Sequence, residues 1–196
     1  MRPVSGVGGE SANQPSAQGL LSQVTKLLGG ALGDACVTTP CAFPSALPAR
    51  EIALLSIAGP VEGGVVVMPE GQLIERMTSA ASSTQAWEHE MSLASSLLAL
   101  AEEVRSGCLA YLAELGPYQV ATPVAISGDG LSVHSRDCAQ SAYRMDLSGA
   151  SETHAPAGLV LAAWLGAGSA RMTTTAERLA DLDELRHELL ARRGAG

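Results

Sequence analysis

Apolar side chains recur at steps of three and four between Trp87 and Leu115: Trp87, Met91, Ala94, Leu98, Ala101, Val104, Cys108, Leu112 and Leu115. On a 3.6-residue repeat these positions form one stripe, so the spacing predicts a core-facing helix over 84–115. Ser82, Ser83 and Thr84 offer N-caps, and Gly116-Pro117 stops it. The opposite side of this helix carries Glu102, Glu103 and Ser106, polar groups one turn apart, with Cβ atoms about 5–6 Å from one another. That polar side is where chemistry on the helix would sit.

Weaker patterns flank this long element. Leu20, Val24, Leu27, Leu28 and Leu32 predict a short amphipathic helix from residue 19, with Gly29-Gly30 threatening its continuity. Residues 1–18 hold almost no large apolar side chain and read as a tail. Pro40, Pro44 and Pro48 make 37–50 an extended connector or an edge strand, because proline cannot donate to a ladder on both sides. Residues 52–58 and 65–68 read as two strands joined by the turn-prone stretch from Gly59 to Gly64. Leu73, Ile74 and Met77 lie on one face of a short helix.

Beyond Gly116, strands are predicted at 119–127, 131–135 and 141–147, then at 159–165, whose uniformly apolar run marks it as the most buried. A terminal helix follows over 175–193, with Thr174 and Glu177 as a capping box and Arg192-Arg193 at the end favoured by the macrodipole. Its stripe of Leu179, Leu182, Leu185 and Leu189 serves the core or a homodimer contact, with a partner-binding helix as the alternative. Hairpins on both sides of a helical block imply an α+β fold, a mostly antiparallel sheet covered by the long central helix and further helices. The domain plan is a tail at 1–18, one α+β domain at 19–170 and a C-terminal amphipathic helix at 171–196.

Composition narrows the function. With 196 residues, 46% hydrophobic and 16% charged, the chain suits one globular domain. A net charge of −8, with no basic cluster before Arg192-Arg193, argues against a nucleic-acid partner. The longest apolar run, 158–170, is about half of the roughly 20 residues that cross a bilayer, and the N-terminus has no secretory pattern. A cytoplasmic protein with no membrane partner is expected. Cys36, Cys41, Cys108 and Cys138 are irregularly spaced and read as reduced thiols. His89, His134, His154 and His187 do not complete a ligand set with them, so neither metal nor cofactor is expected.

Two segments carry a resemblance. The stretch from Ser56 to Val67, SIAGPVEGGVVV, resembles the glycine-punctuated hairpin of the CheC/CheX/FliY chemotaxis phosphatases, CheX above all. AEEVRSGCLAYLAELGPYQVATPVAIS, residues 101–127, resembles the signature helix of that family and its following strand, through Leu112, Leu115, Gly116 and Thr122-Pro123-Val124. The resemblance spans about 20–166 and implies the CheX-like fold. It further implies removal of phosphate from the aspartyl phosphate of CheY-like receiver domains. The family's tool is an outward E-x-x-N pair: the carboxylate meets a lysine of the receiver, and the carboxamide orients the attacking water.

This chain departs from the pattern in either alignment. With Glu103 in the Glu position, Ser106 takes the Asn position. With Gly107 matched to the family's small residue, Glu103 takes the Asn position and Leu100 the Glu position. Neither alignment restores both groups. The resemblance therefore implies Glu103 and Ser106 as a degenerate catalytic pair, and Glu102, Glu103, Ser106 and Ala110 as a partner-binding face. A receiver-binding domain with an impaired phosphatase is the leading expectation. An active phosphatase with a substituted pair and a structural part of a flagellar or signalling assembly are the alternatives.

Overall fold

The computed structural model describes residues 15–32, 36–48, 50–71, 73, 86–129, 131–135, 138–147, 157–166 and 170–174. The first helix, α1 (Ala17–Leu32), starts two residues before the start expected at residue 19. Ser16 caps it: its Oγ accepts from Gly19 N–H at 3.0 Å and its carbonyl from Leu20 N–H at 2.9 Å. Leu20, Leu21, Val24 and Leu28 form its buried stripe, whereas Leu27, expected inside, is 46% exposed. Gly29 and Gly30 stay within the helix.

The strands are β1 (Cys36–Cys41), β2 (Glu51–Ala58), β3 (Glu62–Gly71), β4 (Gln119–Val120), β5 (Val124–Ser127), β6 (Leu131–Ser135), β7 (Cys138–Leu147), β8 (Ala157–Gly166) and β9 (Ala170–Thr174), with α2 (Ala86–Ala113) between β3 and β4. A seven-stranded sheet runs β1-β7-β8-β3-β2-β4, with β5 also on β2, and every pairing is antiparallel. The fold is α+β, as expected. The proline-bearing segment supplies an edge strand, β1, where Pro40 stands opposite Tyr143. The strand expected over 119–127 is two strands. Proline has no N–H to give, and the ladder is interrupted at 121–123 around Pro123 while Ala121 N–H still reaches Ser56 O at 2.9 Å.

Strand β8 lies at the centre and is buried on both faces, which explains its continuous apolar run. Leu159, Leu161, Ala163 and Leu165 point to the helices together with Val65, Val67, Ala53, Leu55 and Ile57. The intervening Ala162 and Trp164 point the other way, with Ile52, Val66 and Met68. Opposite the turn end of β8, the hairpin needs glycine: a Cβ on Gly64 would lie 2.6 Å from the Trp164 ring and 2.8 Å from Leu55 O.

Among the described residues the face away from the helices is covered by Phe43 and Leu47 from the irregular segment 42–48, and by Leu131 and Val133 of a two-stranded sheet formed by β6 and β9. Leu47 N–H donates to Leu131 O at 3.0 Å, tying these two covers together. Strand β9 was hidden from periodicity because the five residues of ARMTT are too few for their alternation to stand out. Of the short helix expected near Leu73, only Leu73 itself is described, as a buried residue. The terminal helix at 175–193 and the first fourteen residues of the tail lie outside the described residues.

Candidate functional site

Helix α2 orders the candidate residues by its period. Leu97, Leu100, Ala101, Val104, Cys108 and Leu112 are buried against the sheet and α1. The stripe is thus one position off expectation at its N-terminal half: Leu97 is inside and Leu98 is half-buried at the flank. Both leucines satisfy a three-or-four spacing to Ala101, so only packing decides between them. The side chains of Trp87 and Met91 lie outside the described residues.

The outer side is a narrow strip of Ala99, Glu103, Ser106, Ala110 and Ala113, all exposed. Its chemistry is sparse. Glu103 carries the strip's charge and makes no ion pair or hydrogen bond among the described residues. Ser106 stands one turn on, and its Oγ donates back to Glu102 O at 3.0 Å, the i−4 bond typical of helical serines. Ala110 adds a methyl group and no polar function.

Glu102 is turned elsewhere. Its Oε2 accepts from Arg105 Nη1 at 3.2 Å, and Arg105 Nε donates to Val120 O at 3.0 Å. Arg105 therefore pins α2 to the edge strand β4 and holds Glu102 beside itself. Of the two adjacent glutamates, Glu103 is the available carboxylate. The tether was half legible: an i,i+3 Glu–Arg pair is a sequence signal, but its second anchor on β4 is not.

Gly107 sets how closely the helices pack. A Cβ there would stand 3.2 Å from Val24 Cγ2, 3.3 Å from Val24 Cα and 3.4 Å from Leu27 Cδ1, so α1 lies against α2 at this turn. Leu27, though 46% exposed, thereby borders the strip that holds Glu103 and Ser106. Burial also separates the two alignments. Leu100, the Glu position of the second, is only 5% exposed, whereas Glu103 and Ser106 of the first both face solvent.

The helix ends where Leu115 and Gly116 N–H groups donate back to Leu112 O at 3.0 and 3.2 Å, and the chain then enters β4. Beneath the strip, burial pushes the Cys108 thiol up to about 12. It is an inert core group, and no disulfide joins any of the four cysteines. Among the described residues no cluster of three or more His, Cys, Asp or Glu could hold a metal, and no helix is long and apolar enough to cross a membrane.

The fold is that of CheX- and CheC-like chemotaxis proteins. A CheC-like chemotactic protein of Shewanella oneidensis MR-1 superimposes with a TM-score of 0.54 at 15% identity, over 75% of this chain and 95% of that one. CheX in the Borrelia burgdorferi CheX–CheY–BeF3–Mg complex gives a TM-score of 0.56 at 12% identity, over 76% of this chain and 97% of that one. A putative chemotaxis protein of Desulfovibrio vulgaris Hildenborough gives 0.51 at 14% identity, over 76% and 95%. By sequence alone, no family model and no curated protein matches the chain.

Proposed function

We propose that this protein is a cytoplasmic chemotaxis-type signalling module that docks a CheY-like receiver domain on the outer strip of α2, and that its aspartyl-phosphate phosphatase activity is weak or lost. The observation that carries the reading is the pairing of an exposed Glu103, unpartnered among the described residues, with an exposed Ser106 whose hydroxyl is already turned back onto Glu102 O. Glu103 is placed to meet a lysine of a receiver. Ser106 is too short to carry a water deep into a partner's site, and its hydrogen is spent within the helix. The neighbouring fold of a CheX bound to CheY supports the choice of partner.

The buried position of Leu100 favours the alignment of Glu103 and Ser106 over its alternative, since a carboxylate at 100 would point into the core. Losing a positioned polar group at a reacting centre costs on the order of 10²–10³ in rate. Loss of phosphate from a phosphorylated cognate receiver should therefore be little faster with the protein than without it. Ser106→Asn should raise that rate at least tenfold, on the order expected for restoring one positioning group. Glu103→Ala in the same background should abolish the gain and weaken binding of the receiver. Rapid dephosphorylation by the unmodified protein, insensitive to Glu103→Ala and Ser106→Ala, would sink the reading.

A further inference from the structure

On the sheet face opposite α2, at the end where β1, β7, β8 and β3 meet the 42–48 segment, lies an open cleft of about 440 Å³. That volume is within the range of small-molecule sites. Among the described residues its apolar walls come from Pro44, Leu47, Pro48, Met68 and Val160. Three charged groups converge at one side. Arg144 Nη2 stands 3.2 Å from Glu70 Oε2 while its Nε donates to Asp146 Oδ1 at 2.8 Å, so Arg144 is engaged twice.

Arg50 differs from Arg144. Its Nη2 is 3.9 Å from Glu70 Oε1, beyond hydrogen-bond reach, and this is its one ion pair among the described residues. Arg50 therefore keeps unspent donors, and Glu70 Oε1 keeps acceptor capacity, on either side of a gap at the mouth of an apolar cleft. Glu70 Oε2 is buried behind it, in ion-pair contact with Arg144 but without a hydrogen bond among the described residues.

We infer that this cleft is a binding site for a small zwitterion with an aliphatic side chain, of the α-amino-acid class, its carboxylate on Arg50, its ammonium on Glu70 Oε1 and its side chain against Leu47, Met68 and Val160. Charge selects the class. Arg50 and Arg144 balance Glu70 and Asp146, and the whole chain carries −8, so a simple anion gains nothing at long range. A ligand carrying both signs satisfies both open groups and leaves neither charge unpaired. The site lies across the sheet from α2, uses none of its residues and stands or falls apart from the receiver reading.

The test titrates L-leucine into the full chain by calorimetry, with L-valine and L-methionine as companions, and 4-methylpentanoate and isoamylamine as analogues that each lack one charge. Cys41 supplies a second readout, because it is exposed and lines the cleft. Partial desolvation, and then the Glu70 carboxylate, raise its thiol, so alkylation by iodoacetamide is followed near pH 9, about where thiols titrate. The expected result is saturable binding of at least one amino acid that also slows alkylation of Cys41, with each single-charge analogue weaker by about tenfold or more. Arg50→Gln, at an exposed side chain, and Glu70→Gln should each weaken binding about tenfold or more. The absence of saturable heat and of protection with all three amino acids would overturn the assignment, as would equal binding by either analogue or full binding by Arg50→Gln.

Discussion

The two faces of the seven-stranded sheet are covered by different means, and they differ accordingly in what they can do. On one face, α1 and α2 lie so close that a Cβ on Gly107 would press against Val24 at 3.2–3.3 Å, and the space beneath is filled by Leu, Val and Ala side chains. On the other, an irregular proline-bearing segment and a two-stranded sheet cover the core and leave a cleft with Arg50, Glu70 and Arg144 at its mouth. Regular helices satisfy their own backbone and pack without gaps, so the helical face offers only an outer surface. Irregular cover leaves concavities, so the far face offers a cavity. A macromolecular partner suits the first and a small ligand the second.

If the helical face is the rigid one, truncation there should be the most costly. Leu97→Ala should lower stability by about 2–5 kcal/mol, because its neighbours are held by two helices and cannot collapse into the cavity. Leu98→Ala, at the flank of the stripe, should cost less than about 1.5 kcal/mol. Leu47→Ala, on the far face, should cost less than about 2 kcal/mol, since the 42–48 segment can settle inward. Urea denaturation of the three variants tests the contrast, and equal losses at Leu97 and Leu47 would erase it.

A pH series sharpens the same contrast. Cys108 lies on the buried side of α2, and burial pushes its thiol up to about 12 from an ordinary value near 9. A thiol whose native value is raised keeps its proton between those limits while the unfolded chain loses it. Its contribution to stability is therefore intact below about pH 9 and declines as pH rises toward 12, by about 1.4 kcal/mol per pH unit. The difference in stability between the unmodified protein and Cys108→Val should show that slope above pH 9 and none below it. A flat difference would mean that the helical face opens readily to water.

The smallest expected effects lie at the surface of α2. Glu102→Ala should cost only about 0.3–0.5 kcal/mol, as an exposed i,i+3 pair. Arg105→Ala should cost about 1 kcal/mol more, through the lost hydrogen bond to Val120 O. The order of the two, measured by thermal denaturation, tests whether Arg105 is a tether between α2 and β4 or merely half of an ion pair.

Much of the architecture was legible because hydrophobic period is a local property. The long helix, the hairpin ending in Gly63-Gly64, the proline-marked edge strand and the central strand β8 each announce themselves within about ten to thirty residues of sequence. The helical period also puts Glu102, Glu103 and Ser106 on the outer side, of which Glu102 turns to Arg105, while Ala110 came only with the resemblance. The resemblance to chemotaxis proteins rested on two such local segments, and the fold agrees with it. Less visible were Leu97 against Leu98, the break around Pro123, and strand β9, where more than one local pattern satisfies the same spacing.

What the sequence determined by itself, then, is which side chains alternate and at what period, for those follow from backbone geometry alone. Only the tertiary structure decided which of two adjacent glutamates is available. Arg105 claims Glu102 because β4 brings the Val120 carbonyl to its other end, from fifteen residues away in the chain. Only the tertiary structure joined Arg50, Glu70 and Arg144, which lie on the approach to β2, on β3 and on β7 and share no sequence signal. Contacts between strands distant in sequence depend on sheet order and register, and no local spacing encodes either.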